Sequence, residues 1–184
     1  MKKPAKSDPK KRKGLIIVNT GDGKGKSTAS FGLALRAAGN KMNVFIMQFM
    51  KGPWKAGERK ALNELASHIE YEAMGDGFTW DTKNREQDIK TARKAFDIVK
   101  EKLMSGKYQM VILDEINYVL DYKFFPLEEF LETLRNKPEN VHVVCTGRNA
   151  QEELIELADL VTEMRCIKHP YEDQEIPAQK GIEF

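Results

Sequence analysis

Three short stretches of this chain hold side chains that can act on phosphates. The first is Thr20-Gly21-Asp22-Gly23-Lys24-Gly25-Lys26-Ser27-Thr28. Glycines at 21, 23 and 25 let backbone N–H groups turn toward an anion that a Cβ would keep at a distance. Lys26 adds a mobile positive charge, and the Ser27 hydroxyl is a ligand for Mg²⁺. The second stretch is Asp114-Glu115, at the end of the apolar run Met110-Val111-Ile112-Leu113. Carboxylates so placed lie beside a bound nucleotide's metal ion. The third is Thr146-Gly147-Arg148-Asn149, where Arg148 can reach phosphate oxygens. A surface or structural arginine is the alternative there.

Together these residues call for a nucleoside triphosphate with Mg²⁺ (or Mn²⁺). They do not say what is attacked. A small-molecule kinase or NTPase fits the spacing, with Glu115 able to polarise a water. The loop also departs from the usual spacing, in which four residues separate a first glycine from the Gly-Lys-Ser; here that first position is Thr20. A glycine-rich turn without a ligand is the plainer alternative.

Each stretch needs an element to position it. Leu15 to Val18 read as a buried strand, and Phe31, Leu33, Ala34, Leu35 and Ala38 recur at helical spacing up to a stop at Gly39-Asn40. Residues 43–49 read as a second buried strand, 57–67 as a short helix with Leu62 and Leu65 inward, and 69–73 as a third strand. Residues 84–105 carry the longest helical stripe, Ile89, Ala92, Phe96, Val99 and Leu103. The strand at 109–115 precedes a helix from Pro126 to Arg135, a strand at 141–145, a short helix at 150–158 and a last strand at 160–164. Residues 169–184 read as a loop. Strands alternating with helices predict a mostly parallel sheet with helices on both faces, and ligands at the strands' carboxyl ends.

That placement brings Lys51 and Trp54, just beyond the second strand, toward the site. Met74-Gly75-Asp76-Gly77-Phe78-Thr79-Trp80-Asp81 reads as a mobile loop carrying two aromatics of the kind that line pockets. The three histidines offer no clear base: His68 and His142 sit in structural patterns, and His169 precedes Pro170.

The 184 residues suffice for one full core. Residues 1–13 hold six Lys and one Arg against one Asp, a net +6, which leaves −4 for residues 14–184 out of the chain's +2. The basic balance therefore belongs to a flexible N-terminal tail (1–13), with the domain at 14–184. A nucleic-acid partner would want a basic face on the domain itself. No apolar run approaches a membrane span, and no h-region follows the first lysines. Cys145 and Cys166 lack metal-ligand spacing and read as reduced core residues of a cytoplasmic protein.

The chain resembles the P-loop corrinoid adenosyltransferases of cobalamin synthesis and salvage. The matching stretches are 20–28, Gln48-Phe49-Met50-Lys51-Gly52 with Trp54 and Gly57-Glu58-Arg59, Gly77-Phe78-Thr79-Trp80, Asn84-Arg85-Glu86, 111–115, 146–148, 158–163, Lys168-His169 and the closing Gln179-Lys180-Gly181-Ile182-Glu183-Phe184. The Thr20 form of the loop is this family's own. The resemblance implies a single RecA-like α/β domain, with a homodimer as a family expectation. It implies ATP as co-substrate, bound in reverse of the usual P-loop sense. Cobalt(I) of cob(I)alamin or a related corrinoid would attack C5′ and displace tripolyphosphate.

By the same resemblance, Thr20 to Thr28 and Arg148 would hold the phosphates, with Ser27, Asp114 and Glu115 at the Mg²⁺. Lys26 and Arg148 would act on the leaving group. Phe78 and Trp80 would wall the lower face of the cobalt. A homodimer and an electron-donating, flavodoxin-like reductase are further expectations. Two departures stand out: the segment before the first strand is short and broken by Pro4 and Pro9, and Asp22 replaces the frequent Asn.

Overall fold

The computed structural model describes residues 13–50, 57–64, 67–74 and 85–183. In chain order the elements are β1 (Ile16–Thr20), α1 (Lys26–Gly39), β2 (Val44–Gln48), α2 (Gly57–Glu64), β3 (Ile69–Ala73), α3 (Arg85–Met104) and β4 (Met110–Asp114). Then come α4 (Ile116–Asp121), α5 (Leu127–Arg135), β5 (His142–Thr146), α6 (Glu152–Leu157), β6 (Leu160–Glu163) and α7 (Pro170–Gln174). The six strands form one sheet in the order β3-β2-β4-β5-β1-β6, and every pairing is parallel.

The central strands are mostly apolar up to their carboxyl ends because both faces are covered. Alternation divides them between two cores. Val18, Phe45, Met47, Val111, Leu113, Val143 and Cys145 face α3, α4 and α5, where they meet Phe96, Val119 and Phe130. Ile17, Val44, Ile46, Ile112 and Val144 face α1 and α2, meeting Phe31, Ala34, Ala37 and Leu62. Small residues on α1 let that helix come close to the sheet, which fixes the loop that starts it. Ser30 inside α1 accepts a hydrogen bond from Asn19 Nδ2 at 2.9 Å and donates to the Lys26 carbonyl at 2.9 Å. This buried link holds the start of α1 to β1.

Four features differ from the sequence reading. Helix α4 follows Asp114 at once, too short to show a helical period. The segment after His169 contains α7, whose first turn is capped by His169 Nδ1 accepting from Glu172 N–H. Cys166 is exposed, unlike the buried Cys145, because it lies beyond the edge strand β6, all four of whose residues are exposed. Leu35 also points outward from α1, being 49% exposed.

Candidate nucleotide site

All three sequence stretches end at the carboxyl edge of the sheet, on β1, β4 and β5. Strand β5 lies between β1 and β4, so Arg148 enters between the glycine loop and the Asp-Glu pair.

The loop is held from below. Met164 N–H donates to the Thr20 carbonyl at 2.8 Å, and Gly23 N–H donates to the Met164 carbonyl at 2.6 Å. A Cβ at Gly21 would lie 2.5 Å from the Met164 carbonyl oxygen, and one at Gly23 would lie 2.7 Å from the Arg165 backbone. Glycine is therefore needed at both positions for the close approach of residues 163–165, a packing requirement; the Gly23 N–H, expected from the sequence to turn toward an anion, is bonded to Met164 instead. Gly21 and Gly25 also have φ of 94° and 106°. Thr20, the unusual position, uses its hydroxyl to accept from Ala150 N–H at 3.2 Å, tying β1 to the turn that carries Arg148.

Helix α1 begins at Gly25 with no side-chain cap and no acidic residue in its first turn. Its free N–H groups and dipole thus face the cleft, the arrangement that binds an anion. Lys26 is 8% exposed, and its Nζ donates to the carbonyls of Gly21 and Gly23, both at 2.7 Å. Burial lowers its pKa; Glu115 opposes the shift and Arg148 adds to it.

At β4 the two carboxylates have separate tasks. Asp114 is fully buried; its Oδ1 accepts from Thr146 Oγ1 at 2.8 Å and its Oδ2 from Gln48 Nε2 at 2.7 Å. Gln48 in turn accepts from the Tyr71 hydroxyl at 2.5 Å, so the network crosses from β3 to β5. Thr146 Oγ1 also accepts from Glu115 N–H at 2.9 Å. Glu115 has φ 63°, a left-handed conformation that a non-glycine residue adopts at a cost, and this turns its side chain into the cleft. Its Oε2 is buried without a hydrogen-bond partner among the described residues. Burial, then the neighbouring Asp114, push the carboxyl up to about 7.

Lys26, Glu115 and Arg148 line a cleft of about 340 Å³ together with Asp22, Ser27, Thr28, Tyr118, Ile182 and Glu183, whereas Asp114 lies behind it. Arg148 Nε stands 3.9 Å from Asp22 Oδ1, and Lys24 Nζ 3.1 Å from the Glu183 carboxylate. Tyr118, Ile182 and Glu183 were not foreseen. The first sits on the short α4, and the others reach the cleft only through the fold. Lys51, Trp54, Phe78 and Trp80 lie outside the described residues.

The donor set suits Mg²⁺. Among the described residues no three His, Cys, Asp or Glu gather as a cage. One unpartnered carboxylate oxygen beside a hydroxyl is what a Mg²⁺ completed by phosphates and water requires.

Comparison with known proteins adds the family. The profile of the family described as ATP:corrinoid adenosyltransferase BtuR/CobO/CobP matches residues 12–184. A corrinoid adenosyltransferase of Sinorhizobium sp is 47% identical over 94% of this chain and 81% of its own length. Those of Escherichia coli (strain K12) and Salmonella typhimurium (strain LT2) are 44% and 43% identical, each over 94% of this chain and 86% of the relative.

Proposed function

Since this chain belongs to the ATP:corrinoid adenosyltransferase family, we propose that the cleft at the carboxyl edge of its sheet holds the triphosphate of ATP while a reduced corrinoid is adenosylated. The protein is an enzyme that transfers the 5′-deoxyadenosyl group of ATP to the cobalt(I) of a corrinoid. The observation that carries the site assignment is the meeting of Lys26, Arg148 and an unpartnered Glu115 oxygen around the uncapped start of α1.

The cobalt(I) electron pair attacks C5′ of ATP. A cobalt–carbon bond forms, the C5′–O bond breaks, and tripolyphosphate leaves with the bonding electrons. The loop at 20–28 therefore holds a leaving group and transfers no phosphoryl group. Negative charge grows on the departing oxygen. The amides at the start of α1, Lys26 and Arg148 are charges and dipoles already in place to stabilise it. To do so, Lys26 exchanges its two loop carbonyls for phosphate oxygens. Mg²⁺, held by Ser27 and Glu115, would neutralise further charge on the leaving group. Asp114, with both oxygens engaged, stands behind Glu115 and fixes it through Thr146.

Phe78 and Trp80 are assigned to the lower face of the cobalt, where excluding an axial ligand eases reduction to cobalt(I) and keeps the nucleophile dry. The working form is assigned as a cytoplasmic homodimer served by an electron-donating reductase. No helix among the described residues is long and apolar enough to cross a membrane.

The test is anaerobic: protein, Mg-ATP and chemically reduced cob(I)alamin, with the cobalamin spectrum followed and the phosphate product identified. Light-sensitive adenosylcobalamin with stoichiometric tripolyphosphate is expected. ADP and phosphate without a cobalt–carbon bond would return the chain to the kinases and NTPases.

A further inference from the structure

Asn117, in the first turn of α4, is fully buried, and none of its atoms is among the groups lining the nucleotide cleft. Its Nδ2 donates to the Gly147 carbonyl at 2.9 Å. The contact is close: a Cβ on Gly147 would lie 2.9 Å from the Asn117 Cβ and 3.2 Å from Glu115 Oε2. Gly147 has φ 128°, and Asn149, two residues on, has φ 52°. Arg148 thus sits between two residues in the left-handed region. Asn149 Nδ2 donates to Asp121 Oδ2 at 2.9 Å, and Thr146 is bonded to Asp114. The turn is tied on both sides of Arg148 to α4 and β4, and Arg148 itself extends into the cleft.

Packing alone does not account for Asn117. Its Oδ1 is buried and has no hydrogen-bond partner among the described residues. Leucine has the same branched shape without an unpaired polar atom, so an amide here is costly unless its donor is needed. The need is the Gly147 carbonyl, which no helix or sheet ladder serves.

We propose that Asn117 is a positioning residue for the triphosphate: by pinning the Gly147 carbonyl it holds the turn that aims Arg148 at the phosphate chain. This rests on the assignment of Arg148 to the phosphates. It gives the Asp-Glu strand two outputs, Glu115 directly and Arg148 through Asn117. The turn can then present a cation that is itself half-exposed and only loosely paired, its nearest carboxylate being Asp22.

The test is a double-mutant cycle read as Mg-ATP and tripolyphosphate dissociation constants, using wild type, Asn117→Leu, Arg148→Ala and the pair. Asn117→Leu is expected to weaken binding about tenfold in wild type, as loss of one hydrogen bond that orients a charged contact does, and less than about twofold when Arg148 is already alanine. Equal weakening in both backgrounds would overturn the proposal, since a generally loosened fold acts without regard to Arg148. So would unchanged binding in wild type. Thermal unfolding of each variant monitors the fold, and Asn117→Ser serves if the leucine variant does not fold. A wild-type chain that binds Mg-ATP with the predicted coupling but forms no adenosylcobalamin would remove the proposed reaction and keep the pinning. Adenosylation without the coupling would do the reverse.

Discussion

Lys24 Nζ of the phosphate loop lies 3.1 Å from the carboxylate of Glu183, next to the last residue of the chain. Residues 182–183 are thereby drawn to the cleft and form part of its lining. A triphosphate brings its own negative charge to the same lysine. Glu183→Gln is accordingly expected to bind tripolyphosphate a few-fold more tightly at low ionic strength, with the difference shrinking as salt approaches about 0.3 M and screening shortens. Titration of both proteins at two salt concentrations checks this; weaker binding by the variant would mean that Glu183 instead orients Lys24 for the ligand.

Lys26→Ala removes the buried cation of the loop. Turnover should fall by about a hundredfold or more, as for loss of a preorganised charge at a developing anion. The Ser30 hydroxyl bonds the Lys26 carbonyl, which alanine retains, so α1 should still begin in the same place. Near-normal turnover would sink the assignment of the loop.

Glu115→Gln replaces a buried carboxyl that burial and Asp114 hold at about 7. At pH 8 the wild-type group is charged and poorly solvated in the free protein. The amide should therefore raise the melting temperature by about 2–4 °C for each kcal/mol relieved, while nucleotide affinity loses its dependence on Mg²⁺. Calorimetry with and without Mg-ATP reads both. A variant as Mg²⁺-dependent as wild type would move the metal elsewhere.

At the far end of the sheet Glu70 accepts from Lys102, Lys107 and Tyr108. Lys102 first, then Lys107 and Tyr108, hold its carboxyl down to about 2. The folded-state pKa lies below the unfolded one, so this contribution is complete above the ordinary value of 4.5 and is lost as the pH falls through about 2. Glu70→Gln should melt below wild type at pH 7, and the two curves should converge between pH 4.5 and 2. A constant gap over that range would show that the cluster acts by packing alone.

Trp80→Ala is expected to reduce protein-assisted reduction of cobalt(II) more than reaction with pre-formed cobalt(I). Equal losses in the two assays would count against its place on the lower face.

What the sequence revealed follows from how locally each feature is encoded. Strand, glycine loop and helix around Lys26 are contiguous, and so is the run ending in Asp114-Glu115; both were legible, and the structure brings Lys26 and Glu115 to one cleft. The parallel sheet followed from alternation of elements. Helix α4 was not legible, because six residues cannot show a period of 3.6, and Tyr118 and Asn117 were missed with it. Glu183 could not be found, since its approach to Lys24 spans most of the chain. The separate tasks of Asp114 and Glu115 depend on Thr146 and Gln48, neighbours only once the strand order is known. The exposure of Cys166 and Leu35 likewise depends on which surfaces the fold leaves uncovered.

The bonds from Met164 to Thr20 and Gly23 stitch the phosphate loop to the continuation of the edge strand. Most of the loop's conformational entropy is thus lost when the chain folds, and little remains to be lost when a ligand arrives. A site ordered in advance does not distinguish strongly between the triphosphate of the substrate and the tripolyphosphate it becomes. Departure of the inorganic chain is then expected to be the slow half of the cycle. Slow amide exchange at Gly23 in the ligand-free protein, with a pre-steady-state burst of adenosylated product, would be its kinetic signature.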